Sequence, residues 1–454
     1  VNLLTTIPAF LLAIAILVVV HEYGHYWVAR RCGVRVLRFS LGFGKPFWSR
    51  RDAHGTEWSV APIPLGGYVS MLDEREGPVP PELLNEAFNT KPVGQRIAVV
   101  LAGPIANLLL AVLLYAGLAM VGSSVRIPLL VTPTAGSMAA LAGVNGGERI
   151  LAIGGRETPG WGDVRWELLR QLAGRPDALS LSVDAGNGVR RELVLPVRGF
   201  GGPRLEGDVP AALGLVGVAP VLLTQIETIR PDSAAAQAGF RPGDRVMALD
   251  GVAVSDWSRF AEAVRARPGE SMRVTVERDG VVLTLPVVPQ RVERGGQVFG
   301  QLGLSPRPDP VALAASSEWF SLGPLDAVWA GARRTWDIGW FSLQMMGGML
   351  TGDVSATNLS GPVAIADFAG QSARLGVASF VGFLALMSIS LGVLNLLPVP
   401  VLDGGHIMYY LVECLRGRPI STQVMEIGQR VGLAAMATLM LVAFYNDIQR
   451  LLTG

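Results

Sequence analysis

The sequence has only two cysteines and four histidines in 454 residues, and charge on only 17% of its positions. Each scarcity removes a class of protein. Cys32 and Cys414 are too few for a disulfide framework or a four-thiolate metal site and read as small buried or interfacial side chains. A formal net charge of +1 argues against nucleic acid as the main partner. Charge is sparse because half the chain is hydrophobic. The mean hydropathy of +0.40 is unusual for a soluble protein of this length and points to a membrane.

Four apolar stretches, 8–29, 97–121, 377–402 and 431–446, are long enough, or nearly so, to cross a bilayer. The first has no basic leader segment and no small-residue cleavage site, so it reads as a retained helix. Orientation follows from the basic residues. Arg30, Arg31, Arg35, Arg38, Lys45, Arg50 and Arg51 come after the first stretch before any acidic residue, and Arg416 and Arg418 follow the third. Both loops are expected in the cytoplasm, with the two termini and residues 122–374 outside. The apolar segment 338–352, flanked by Arg333, Arg334, Trp336 and Trp340, reads as an interfacial amphipathic helix.

The outer segment repeats itself at an offset of 96 residues: Ser137 with Ser233, Gly143 with Gly239, Gly147 with Gly243, Gly155 with Gly251, and Trp161 with Trp257. The clearer copy, "PDSAAAQAGFRPGDRVMALDGVAVSDW", predicts a small-residue helix, a turn, a short strand and an Asp-Gly turn. It resembles PDZ domains of the bacterial protease type. Such a pair either binds extended peptides and their C-termini along a sheet edge or screens by bulk what reaches the membrane.

The end of the first apolar stretch reads "VVVHEYGHYWVARRCG". His21 and His25, four apart on a helix, project from one face and can hold one Zn2+ ion, and Glu22 lies beside them as a base for water. A catalytic zinc site needs a third protein ligand. His54, His406 and Asp403 are available. Asp403, where the third stretch reaches the cytoplasmic side, is expected at the depth of the histidines, whereas a further span at 338–352 would place it about 30 Å away. From Pro8 to His21 is about 20 Å of helix, which puts the site in the cytoplasmic half of the bilayer.

HEYGH in the first stretch, "VLAGPIANLLLA" in the second, tandem PDZ-like repeats and "NLLPVPVLDGGH" in the third together resemble the site-2 protease family of intramembrane zinc metalloproteases. The likeness covers essentially the whole chain, including "RRCGVRVLRFSLGFG", "IPLGGYVSMLDE" and "NLSGPVAIA". It implies that His21, His25 and Asp403 are zinc ligands, that Glu22 is the catalytic base, and that Asn395 supports substrate or the oxyanion. Segment 58–72 resembles a membrane-associated β-loop that pairs with an unwound substrate strand, with Gly66 and Gly67 allowing close approach. Asn107 reads as packing glue between helices.

The expected fold class is a polytopic α-helical membrane protein with four transmembrane helices and two α+β PDZ-like domains between the second and third. The expected parts are 1–121, 122–220, 221–308, 309–374 and 375–454. The resemblance implies cleavage within the membrane span of single-span proteins in a bacterial inner membrane. The substrates would be an anti-sigma factor after first-site cleavage, in envelope stress signalling, and remnant signal peptides. Two other classes are a membrane-anchored PDZ adaptor with a structural metal, and a metal transporter. Against transport, there is no second set of intramembrane ligands and no inverted repeat.

Overall fold

In the computed structural model, which describes residues 3–186, 188–200, 207–294, 297–352 and 361–453, the first apolar stretch forms helix α1, Leu3–Arg31. Its buried positions recur every four residues: Ala9, Ala13, Leu17, His21, His25 and Ala29. Such rows pack into the groove of a neighbouring helix. Both histidines therefore stand in the stripe that α1 turns inward.

A four-stranded sheet follows, comprising β1 Val36–Phe43, β2 Trp48–Arg51, β3 Glu57–Val60 and β4 Ile63–Met71. Its order is β2-β3-β1-β4, with β3 parallel and β4 antiparallel to β1. Alternation sets how β4 lies. Val69 and Met71 pack on a core that includes Ala29, Val36 and Val99, while Tyr68 faces the other way and accepts a hydrogen bond from Arg38. Among the described residues β4 is an edge strand. Helix α2, Val93–Val121, then packs along α1. The approach is close because Gly24 has no side chain where Ala102 and Ala106 lie.

Residues 123–308 carry the repeat. Strands Arg149–Ile153 and Arg245–Leu249 stand 96 residues apart, as do Arg156–Glu157 and Val252–Ala253, and in each copy a helix beginning at Trp161 or Trp257 follows. Ser137 and Ser233 each cap a short helix through the side-chain oxygen. The ion pair Asp244–Arg278 has its counterpart in Glu148–Arg191. The second copy has the fuller sheet, adding strands Leu222–Ile229 and Leu304–Pro308. In the first copy, among the described residues, pairing outside the named strands is limited to bridges Leu129–Arg149 and Leu130–Gly217.

Asp244 gives the second copy a pH dependence. Burial alone would raise its pKa, but two bonds from Arg278, at 2.7 and 2.8 Å, and the Arg241 amide hold it below the ordinary carboxylate value. A carboxyl with a depressed folded pKa adds stability above its unfolded pKa and loses it as pH falls through the folded one. Corrected for intrinsic rates, amide exchange in the strand Met272–Arg278 is expected to accelerate as pH falls through the ordinary carboxylate range and below it. Arg278→Ala is expected to remove most of that change.

The expected interfacial segment 338–352 is the second half of a 28-residue helix, α3, Pro324–Thr351. Gly331 lets α3 press on Val112 and Ala116 of α2, and Ile338 shares a core with Ala111 of α2 and with Ile389 and Val393. Trp329, Trp336 and Trp340 remain exposed, so the helix keeps an aromatic outer side while being packed on the bundle. Helix α4, Pro362–Arg374, follows; residues 358–360 of the "NLSGPVAIA" motif lie outside the described residues.

The third apolar stretch is shorter as a helix than expected. Helix α5, Val377–Asn395, ends seven residues before Leu402, and a new helix, α6, begins at Asp403 and runs to Arg416. Pro398 and Pro400 supply the break, since proline lacks the N–H and disfavours helical backbone before it. Helix α7, Thr422–Thr453, is longer than the expected fourth span. Its Asp447 accepts hydrogen bonds from the amides of Gly361, Val363 and Ala364 at the start of α4. Among the described residues α1, α2, α5 and α7 are long and apolar enough to cross a membrane. Arg96 of α2 and Glu413 of α6 form a two-point ion pair at 3.1 and 2.7 Å, with the guanidinium over the Tyr410 ring. That pair ties α6 to the base of α2.

Candidate active site

His21, His25 and Asp403 come together from two helices distant in sequence. His21 Nε2 lies 3.2 Å from His25 Nε2 and 3.2 Å from Asp403 Oδ2, and His25 Nε2 lies 3.6 Å from the same oxygen. Three donors bound tetrahedrally to zinc at about 2.0–2.1 Å are separated by roughly 3.3–3.4 Å. The observed triangle therefore fits the ion by size as well as by donor chemistry. Among the described residues this is the group of His, Cys, Asp and Glu side chains that could hold a metal. Of the other two histidines, His54 lies in the exposed turn after β2, where its amide bonds Asp52, and His406 is one helical turn beyond Asp403.

Each of the three donors is placed by its surroundings. His25 donates through Nδ1 to the Val99 carbonyl at 2.8 Å, which leaves Nε2 to face the cluster. Gly103 lies against that ring, where a Cβ would overlap it. Asp403 starts α6, and the turn before it is tight enough that a Cβ at Gly405 would lie 2.5 Å from Pro400 Cα. The two glycines of "LDGG" are thus required by close backbone packing. At the level of His21, α5 meets α2 through a bond from Ser388 Oγ to the Asn107 carbonyl at 2.7 Å.

The three donors open on a cavity of about 360 Å³, whose lining also includes Glu22, Gly67, Tyr68, Val69, Asp73, Arg75 and His406. Gly67 of the edge strand β4 sits beside Glu22: a Cβ there would lie 3.2 Å from Glu22 Cγ and 2.7 Å from Val18 Cγ1. A peptide drawn along β4 would therefore pass Glu22. Gly66 lies outside the cavity lining and lies under the Phe43 ring, 2.6 Å from the position a Cβ would take. Asn395 ends α5, half-buried and outside that lining.

The rim of the cavity at Asp73, Arg75 and His406 is polar. Burial would raise the Asp73 carboxyl, but the Arg75 guanidinium and amide outweigh it and keep the group below its ordinary pKa. Burial, helped by Arg75 and opposed by Asp403, keeps the His406 imidazole below its ordinary value. The cavity thus has the Glu22 carboxyl beside three convergent donors and a lining that carries polar groups. This is the constellation expected for hydrolysis of an amide.

Asn107 and Gly103 were missed as site residues. Asn107 is fully buried, with its side-chain amide 3.2 Å from His21 Nδ1. The sequence signal was an amide one helical turn beyond a Gly-Pro pair in an uncharged helix, which does not reveal which helix it faces.

A family model described as peptidase family M50 matches residues 9–439. The chain is 39% identical over 452 residues to the regulator of sigma-E protease RseP of Escherichia coli K12, covering 99% of this chain and all of that one. It is 39% identical over 455 residues to protease RseP of Yersinia pestis, with the same coverage. A chain of Neisseria meningitidis serogroup A, whose name describes a zinc metalloprotease, is 42% identical over 449 residues, 98% of this chain and 99% of that one. Among solved structures, the PDZ domain of an SdrC-like protein from Listeria monocytogenes aligns with 20% of this chain at 15% identity and a TM-score of 0.16.

Proposed function

The chain belongs to peptidase family M50 and is a zinc metalloprotease of the site-2 type, and from that premise we propose that it cuts single-span membrane proteins within their membrane segment, near its cytoplasmic end. The observation that carries this reading is the meeting of His21, His25, Asp403 and Glu22 in one cavity, built on apolar helices and flanked by the edge of β4.

His21, His25 and Asp403 are the residues that would hold zinc, and Glu22 is the base. Zinc, when bound, supplies the Lewis acidity that polarises a scissile carbonyl and makes water acidic enough to attack at neutral pH. Glu22 takes a proton from the attacking water and returns it to the leaving amine. A membrane helix hides its peptide bonds in its own hydrogen bonds, so a bond can be cut only after local unwinding. The free edge of β4 can satisfy the backbone groups so released. Gly67 keeps that edge close to Glu22, Gly66 leaves room for Phe43 behind it, and Asn395 stands eight residues before Asp403 as a support for substrate.

The substrate class is a single-span anti-sigma factor whose outer domain has been removed, with remnant signal peptides as a second class. The E. coli relative is named a regulator of sigma-E, and the four apolar helices suit an inner membrane. The basic loop after α1 supports a cytoplasmic side for the sheet and the cavity rim and a periplasmic side for residues 122–374. The two repeats, 122–220 and 221–308, act in this reading as PDZ-like domains that either bind new C-termini or exclude proteins that still carry an outer domain.

The test is proteolysis by the purified chain in detergent of a tagged single-span protein with its outer domain trimmed, with cut sites read by mass spectrometry. Cuts are expected inside the span for the wild type, none after zinc is stripped with a chelator, and restored cutting when zinc is returned. Asp403→Ala is expected to lose both zinc and cutting. Equal zinc in every sample with no cutting by any would favour the membrane-anchored adaptor, an Asp403→Ala protein that keeps its zinc would remove Asp403 from the ligand set, and cuts confined to the soluble segments would overturn cleavage within the span.

A further inference from the structure

An imidazole that binds metal through Nε2 must carry its proton on Nδ1, and the partner of Nδ1 decides which tautomer is present. For His25 that partner is the Val99 carbonyl, an obligate acceptor. For His21 it is the side-chain amide of Asn107, which has one accepting end and one donating end.

With Nδ2 directed at the ring, 3.2 Å from Nδ1, His21 would have to accept there and carry its proton on Nε2. Nε2 is the atom 3.2 Å from both His25 Nε2 and Asp403 Oδ2, so that tautomer has no lone pair for the ion. In the same orientation Oδ1 of Asn107 is buried without a hydrogen-bond partner among the described residues. A half-turn of the amide directs Oδ1 at Nδ1, so His21 donates and Nε2 is freed as a ligand.

We infer that Asn107 is a positioning residue for the metal centre: its Oδ1 accepts from His21 Nδ1 and fixes the tautomer that can bind a divalent ion. The inference rests on the proposal that His21, His25 and Asp403 form a zinc site. It differs from a packing role in depending on an acceptor at that position rather than on bulk. The Ser388 bond to the Asn107 main-chain carbonyl holds the level of the two helices and leaves the side chain free for His21.

The experiment uses the full chain in detergent, with the zinc Kd measured by competition against a chromophoric chelator for the wild type, Asn107→Asp, Asn107→Leu, Asn107→Ala and His21→Ala. Asp keeps an acceptor, Leu keeps volume alone, and Ala, which adds no bulk, serves should Leu fail to fold. Asn107→Leu or Asn107→Ala is expected to weaken zinc binding about 10–100-fold, and Asn107→Asp to stay within about 3-fold of the wild type. Histidine 15N spectra of the zinc-free protein are expected to show His21 protonated at Nδ1 in the wild type and Asn107→Asp, and a mixture of tautomers in Asn107→Ala. Wild-type affinity in Asn107→Leu or Asn107→Ala, or a loss in Asn107→Asp as large as theirs, overturns the inference. A wild type that binds no zinc, or whose affinity His21→Ala leaves unchanged, overturns the zinc site itself.

Discussion

Replacing Glu22 by glutamine is expected to lower turnover of a single-span substrate by about 10²–10⁴-fold without reducing the zinc content of the purified protein. Glu22 is one residue past His21, about 100° round the helix from the metal-binding face, so it lines the cavity but is outside the group of three donors. Gly67 of β4 lies against its side chain, where a Cβ would stand 3.2 Å from Glu22 Cγ. Glutamine keeps the length and shape and cannot take up a proton, so packing is preserved while the base is lost. Substrate affinity should change little, because a base acts on the transition state rather than on binding. Turnover within a few-fold of the wild type would exclude Glu22 as the base. Unchanged activity with zinc retained would point to a metal site with a structural role.

Gly103→Ala should have the second largest effect, from one methyl group that bears no charge. A Cβ at this position of α2 would lie 2.7 and 2.8 Å from the Cε1 and Cδ2 atoms of His25, and would overlap Nε2. The ring cannot yield easily: it is buried, and its Nδ1 is held by Val99. Displacement by about 1 Å of a group at the chemistry can cost about 10²-fold in rate, and weakened ligand placement about 10–100-fold in metal affinity. Alanine is the better helix former by about 0.8–1.0 kcal/mol. Thermal unfolding in chelator should therefore show little loss of stability in the zinc-free protein, while zinc affinity and cleavage both fall. Wild-type zinc affinity in Gly103→Ala would mean that His25 has room to move and that the close contact does not constrain the centre.

The division between what could be read from the chain and what could not follows the range of the physics. HExxH places two imidazoles on one face because helical periodicity is local, and the structure keeps that spacing within the four-residue stripe of α1. The repeat offset of 96 was legible as matched turn and cap residues, and it recurs in the strands Arg149–Ile153 and Arg245–Leu249. Four apolar helices follow from length and hydropathy alone. Asp403 could be chosen over His54 and His406 only by following the chain back and forth across a membrane, and in the structure its Oδ2 lies 3.2 Å from His21 Nε2 and 3.6 Å from His25 Nε2.

Other features depended on which faces meet. The proline break that separates α5 from α6 had its signal in Pro398 and Pro400, but an apolar count runs through both. The length of α3 and its seating on α2 depend on Gly331 meeting Val112 and Ala116, a fit between surfaces remote in sequence. Asn107 belongs with His21, 86 positions away, because small residues at Gly24, Ala102 and Ala106 let α1 and α2 approach closely enough for a side-chain amide to reach an imidazole. The sequence by itself determined which chemistry is present, through residue types and local periods. Only the tertiary structure decided which groups orient that chemistry, because helix levels and rotations are set by packing among residues that no local pattern connects.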